Sequence, residues 1–301
     1  MKNGRLIACA LCLFVLPFAL FVGCTKNTNP QPPVHDTVTI IKNDTTIKTK
    51  TDTLLVTPPP DSTVNLTKGL LLYLPFSGNI ADSSGNGNQT TAVGTVLTYD
   101  EHGYANNAFG SDGSEKIYVT NNGSILFDTA WSLSMGFMVN TIQAATYVSM
   151  VDPVTGYAPS FNFGNTLAGY PYYLSCGTGD ISTDCSSYGV VNNFNITDTT
   201  YWNPNPGSWY KAVVIYHKGT VQTYINGTLI STKVGQGTQA LLCPNSQIVI
   251  GAWWNNDPQG MNGKLDNIRL YNRVLTPHEI ATLSSNYQVT SNSIKATPKI
   301  H

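Results

Sequence analysis

From Leu70 to Tyr271 the chain is a succession of short apolar runs, each closed by Gly, Asn, Asp, Ser or Thr. Runs this short, with turn residues this frequent, exclude a helical bundle and favour strands. Residues 70–76 form a compact apolar run, and residues 116–120 and 132–139 alternate in polarity. Residues 209–216 are apolar and β-branched, and residues 247–251 and 263–271 close the series. Residues 221–225 and 228–231 flank Asn226-Gly227. Both residues of that dipeptide tolerate positive φ, so they predict a two-residue hairpin. One helix signal stands out. Thr276 can cap, Pro277 suits a first turn, and Glu279 completes a capping box before Ile280 and Leu283. The expectation is an all-β domain over residues 69–288, a sandwich or jelly roll with one short C-terminal helix.

Composition narrows the chemistry. Only 11% of the 301 residues are charged, and the formal net charge is −1. Such a balance gives no electrostatic footprint for nucleic acid. Glutamate occurs only at Glu101, Glu115 and Glu279, so a mechanism needing two closely spaced glutamates is nearly excluded. Abundant Thr, Asn, Ser, Gly and Tyr suit extracytoplasmic β-structure.

The N-terminus reads as an address. Lys2 and Arg5 precede an apolar run from Leu6 to Val22, interrupted only by Pro17. This is the pattern of a secretory signal over residues 1–23, at the short edge of what spans a bilayer. Phe21-Val22-Gly23-Cys24 follows and resembles the lipobox of bacterial lipoproteins. The resemblance implies that Cys24 is acylated and becomes the mature N-terminus. The protein would then be held to a membrane of the cell envelope, with the outer membrane expected and either of its faces open. The alternative is a secretory signal followed by a chance Cys.

Residues 24–68 read as a lipid-anchored spacer. Pro30, Pro32 and Pro33 open it, Pro58, Pro59 and Pro60 close it, and Asp36-Thr37, Asp44-Thr45 and Asp52-Thr53 recur every eight residues. Large apolar groups are too few to offset ordering entropy, so an extended, low-complexity stalk is expected. A flexible tail is expected over 289–301. Extracytoplasmic placement permits disulfides. Cys176 and Cys185 enclose a Gly- and Ser-rich loop and are the expected pair; Cys243 is then either buried and inert or the true partner of one of them.

Three blocks carry a family resemblance. The first is Leu72-Tyr73-Leu74-Pro75-Phe76-Ser77-Gly78-Asn79 with Asp82-Ser83-Ser84-Gly85-Asn86-Gly87-Asn88. The second is Trp209-Tyr210-Lys211-Ala212-Val213-Val214 leading to Tyr224-Ile225-Asn226-Gly227. The third runs from Gly263-Lys264-Leu265-Asp266-Asn267-Ile268-Arg269 through Leu270-Tyr271-Asn272-Arg273 to Leu275-Thr276. In this order they resemble laminin-G-like, concanavalin A-like jelly rolls. The resemblance implies two antiparallel sheets packed face to face, in a fold shared by lectins, pentraxins and some glycan hydrolases. Residues 144–206 depart from the pattern; this stretch is long and rich in aromatics and is expected to remodel the concave face.

Hydrolases on this fold need an acid and a nucleophile or base about 5–10 Å apart. On a strand that reads as acid-x-acid, because alternate residues share a face. The globule has no such pattern, no Gly-x-Ser-x-Gly, and only isolated His102, His217 and His278. No catalytic residue is assigned. Binding is the expected function, of glycan or of a cell-surface protein. Trp253, Trp254, Asn255, Asp257, Tyr172, Tyr173 and Trp202 offer ring faces with amide and carboxylate partners. If Trp253 and Trp254 lie on a strand, one is buried and the other exposed. Trp131 and Trp209 begin strands and are expected in the core. An adhesive protein-binding module and a hydrolase with an unfamiliar site in residues 144–206 are the alternatives. Family resemblance also implies a structural Ca²⁺ near the sandwich edge, with Asp82, Asn86, Asp112 and Asp266 as candidate oxygen donors. The competing reading gives Asp82 and Asp112 to turn chemistry and Asp266 to loop backbone.

Overall fold

The computed structural model describes residues 64–94, 96–156, 160–165, 174–178, 196–197, 202–234, 239–240 and 242–285. Cys24, Tyr172, Tyr173, Cys185, the signal, nearly all of the spacer and the tail lie outside the described residues.

The strands are β1 (Leu70–Leu74), β2 (Gln89–Val93), β3 (Leu97–Thr98), β4 (Ala108–Asp112) and β5 (Lys116–Thr120). Next come β6 (Ala130–Val139), β7 (Ala145–Val151), β8 (Phe161–Asn165), β9 (Leu174–Thr178) and β10 (Ile196–Thr197). The last are β11 (Trp209–His217), β12 (Thr220–Ile225), β13 (Thr228–Val234), β14 (Gln247–Ile250) and β15 (Asn262–Tyr271), followed by helix α1 (Pro277–Ser284).

They form two antiparallel sheets. The first has the order β13-β12-β11-β6-β15-β4-β3, with β1 also on β15; the second has the order β10-β9-β8-β7-β14-β5-β2. Strand β15 changes neighbour part-way along. Asn262–Leu265 pair with β4, whereas Ile268–Tyr271 pair with β1. A bulge between Asp266 and Arg269 marks the change, with Asn267 left-handed at φ 52°. The fold is the all-β jelly-roll sandwich the sequence led us to expect.

Alternation decides which side chains enter the core. Leu133, Met135, Phe137 and Val139 of β6 join Ala212, Val214 and Tyr216 of β11, and Phe161 and Phe163 of β8. Trp131 is fully buried, stacked on Tyr216 at 6.0 Å and tilted on Phe161 at 4.8 Å. Its core placement matches the sequence reading. Residues 144–206, which depart from the family pattern in sequence, belong to the sandwich. Their described parts supply β7, β8, β9 and β10, four strands of the second sheet. Every residue of β7 is buried, so this segment builds the sandwich itself. The polarity of β7 gives no alternation because both of its faces are covered.

The hairpin and the helix form as their local sequences dictate. Asn226 and Gly227 adopt φ 48° and 78° between β12 and β13. Thr276 caps α1 and shares a complete capping box with Glu279. Helix α1 lies on the outer face of the first sheet, where Ile280 meets Val213, Ile215, Tyr271 and Leu275.

Candidate functional site

The Trp253–Trp254 segment follows β14 and folds as a turn, with no strand alternation to separate the rings. Both rings are half-buried, and both pack with Tyr118 on Val151, Val249 and Ala252. The expected split into one core and one exposed Trp therefore does not occur. Val249 and Tyr118 point away from the core because their neighbours Ile248, Ile250, Ile117 and Val119 fill it. The ring loop thus lies on the outer face of the second sheet.

Hydrogen bonds hold it there. Ser149 Oγ donates to Trp253 O at 2.8 Å, and Trp253 Nε1 donates to Gly156 O at 3.2 Å. Asp257 accepts from Trp253 N at 2.7 Å and from Gln259 N at 2.9 Å, one on each carboxylate oxygen. Asp257 therefore braces the loop. Asn255 keeps an exposed side chain, while its backbone N–H donates to Pro153 O and its backbone O accepts from Lys116 Nζ. Pro153 also borders a polar cleft of about 410 Å³ with Thr120, Asn121, Asp152, Asn245 and Gln247.

Trp202 stands apart from these rings. It meets Tyr210 edge-on at 5.1 Å and Phe137 at 6.3 Å, packed against the main core. Trp209, expected in the core, is half-exposed. It alternates with Lys211, Val213 and Ile215, so β11 aims it outward on the first sheet.

The four candidate calcium donors do not form one cage, and among the described residues no group of three His, Cys, Asp or Glu side chains could hold a metal ion. Asp82 accepts from Tyr73 N, Ser84 N, Ser84 Oγ, Asn88 N and Asn88 Nδ2. Its lone pairs are committed to a turn, and despite burial those hydrogen bonds hold its carboxyl below the usual range. Asn86 turns its amide nitrogen, a donor, toward Leu70 O and Leu71 O. Asp112 is exposed and accepts from Ser114. This donor set does not fit Ca²⁺, which needs six to eight converging oxygens.

Asp266 differs from the other three. It is 4% exposed, its Oδ2 accepts from Asn267 Nδ2 at 2.9 Å, and its Oδ1 has no hydrogen-bond partner. Burial pushes its pKa up to about 6, against the pull of Asn267 and Lys211. The cysteine pairing is also corrected. Cys176 is a buried thiol and is not joined to Cys185. Cys243 is disulfide-bonded.

The Laminin_G_3 family, described as the concanavalin A-like lectin/glucanases superfamily, matches residues 112–281. The chain belongs to this superfamily. No curated relative matches the sequence of this lectin/glucanase-superfamily chain. Among solved structures, it is similar to domain 4 of AbnA, a GH43 extracellular arabinanase from Geobacillus stearothermophilus, in complex with arabinotriose. That similarity has 18% identity and a TM-score of 0.52, covering 72% of this chain and 98% of the other. It is also similar to the receptor binding domain of botulinum neurotoxin D, at 18% identity and TM-score 0.49, over 73% of this chain and 53% of that one. At these identities the likeness concerns the fold alone.

Proposed function

We propose that this chain is a lipid-anchored, non-catalytic binding module whose ligand is a glycan of the bacterial cell envelope. The observation that carries the reading is the half-buried trio of Trp253, Trp254 and Tyr118, clamped to the outer face of the second sheet. Fixed aromatic rings present a large apolar surface at low entropy cost, which suits the C–H faces of sugars. The adjoining cleft supplies amides and hydroxyls for orientation. The AbnA domain, solved with arabinotriose, is a carbohydrate-bound example of the same fold.

Non-catalytic status is supported by how the nearby acid is used. Asp257 spends both oxygens on backbone donors, which leaves a poor proton shuttle. Cys24 in its lipobox-like setting supports the anchor.

A glycan array on the purified chain, followed by calorimetry, tests the ligand. Trp254→Ala and Trp253→Ala are each expected to weaken the best glycan by about tenfold or more, ~1.4 kcal/mol. Unchanged affinity in both variants removes this face from the site. Saccharide product accumulating with turnover would show an enzyme instead. Cys24→Ser is expected to move the protein from the membrane to the soluble fraction.

A further inference from the structure

The first sheet carries a second recess on its outer face, on a different sheet from Trp253 and Trp254. It encloses about 530 Å³ and is lined by Glu101, Trp209, Lys211, Asn226 and Ser284. That volume lies within the roughly 300–1,000 Å³ of small-molecule sites. Four separate elements build it: the β3–β4 connection, β11, the β12–β13 turn and the end of α1. Each side chain is held by its own element. Asn226 Oδ1 accepts from Lys211 N at 2.8 Å, which ties the hairpin turn to β11. Lys211 Nζ pairs with Glu101 Oε1, which ties the β3–β4 connection to the same strand.

Lys211 is only 8% exposed. An ammonium that deeply placed costs several kcal/mol unless it is paired. Glu101 provides the pair, and Gly136 beneath leaves room for the long side chain, since a Cβ there would stand 3.1 Å from Lys211 Nζ. The recess therefore presents a carboxylate and an ammonium that cancel each other. A free ion of either sign gains little net attraction there. A neutral ligand rich in hydroxyls gains a charge-assisted acceptor and donor side by side. Trp209 adds a half-exposed ring on the same face as Lys211. Ser284 Oγ, buried in the wall, has no hydrogen-bond partner in the protein. The connection that delivers Glu101 also carries Tyr99 and Tyr104, 58% and 60% exposed.

From this convergence we infer that the recess at Trp209, Lys211 and Glu101 is a second, independent binding site for a neutral saccharide. Its sugar ring lies on Trp209, with hydroxyls shared between the Glu101 carboxylate, the Lys211 ammonium and Asn226. Two sites on two different sheets would let one chain hold two glycan segments, with a gain in avidity.

Calorimetric titration of the purified full chain with neutral arabinan, xylan, galactan and glucan oligosaccharides tests the inference. Chemical-shift mapping of the Trp indole N–H signals runs alongside. At least one oligosaccharide is expected to shift the Trp209 signal. Its affinity for that site should fall by about tenfold or more in Trp209→Ala, ~1.4 kcal/mol, and persist in Trp254→Ala. Ser284→Phe crowds the recess from the helix end, and its urea midpoint, measured beside the titration, separates loss of binding from loss of fold. Raising NaCl from about 0.05 to 0.5 M should leave the affinity nearly unchanged, because a neutral saccharide carries no charge to screen. The inference is overturned if none of the four sugars shifts Trp209. It is equally overturned if Ser284→Phe binds as the parent does, or if affinity collapses with salt. Loss of binding in Trp254→Ala alone would instead locate all binding on the other sheet.

Discussion

Arg273 and Glu279 meet fork to fork, with Arg273 Nη1 and Nη2 each 2.7 Å from a different Glu279 oxygen. The same two side chains fasten the start of the domain to its end. Arg273 Nη2 also donates to Asn65 O at 2.9 Å and Arg273 Nε to Lys68 O at 2.7 Å, while Glu279 Oε2 accepts from Thr276 N at 2.8 Å. Replacing Glu279, itself 2% exposed, leaves the half-buried Arg273 guanidinium without its counter-charge. Glu279→Gln is expected to destabilise the domain by about 2–4 kcal/mol, read from the urea midpoint at constant slope. A loss below about 0.5 kcal/mol would place this pair among ordinary surface bridges.

The pH dependence of stability has two opposing parts. Burial of Asp266 raises its pKa to about 6 in the folded state, above the unfolded value of 3.8. The folded state then holds this proton more tightly, so the contribution of Asp266 is full below about pH 4 and is lost as pH rises through about 6. Asp82 and Glu279 shift downward, so their contributions are present above the unfolded carboxylate range and are lost as pH falls through their folded values. Asp266→Asn is expected to abolish the decline in melting temperature between about pH 4 and 6 and to leave the acid limb in place. A parent and variant with parallel profiles across that window would refute the assignment.

Gly136 sits mid-strand in β6, where glycine is otherwise unfavourable. A Cβ at this position would crowd Lys211 Nζ at 3.1 Å and make ordinary contact with Asp266 O at 3.5 Å. Gly136→Ala is expected to push Lys211 off Glu101 and to cost about 1–3 kcal/mol, measured by thermal unfolding. If Lys211 yields without cost, the variant will instead be stabler, as a strand alanine normally is.

Cys176 is 1% exposed, and burial drives its thiol pKa far upward. The thiolate is the reactive form, so alkylation of the native protein is expected to leave the Cys176 peptide unmodified. Alkylation in urea should label it fully, with peptide mapping as the readout. Labelling at equal rates in both conditions would contradict its burial.

Particular residues show how far the sequence reaches. The Asn226-Gly227 turn, the Thr276 cap and the alternation of β5, β6 and β12 were legible because each depends on residues within a few positions. Strand β7 was not legible as part of the core sheet, since covering both faces of a strand erases the alternation that would reveal it. Trp209 was misplaced for a related reason. Period-two spacing puts it on one face with Lys211, but that face is apolar further along, at Val213 and Ile215, beneath α1.

By itself, the sequence determined the class of fold, its hairpin, its helix cap and its membership of the superfamily, because short-range backbone preferences and polarity patterns are local properties. Only the tertiary structure decided that Asp82 and Asp257 serve backbone donors and that Cys176 stays a thiol. It also decided that Glu101 crosses 110 positions of sequence to neutralise Lys211. Those outcomes depend on which distant strands become neighbours, and lone pairs, thiols and charges are committed only when that pairing brings their partners within reach.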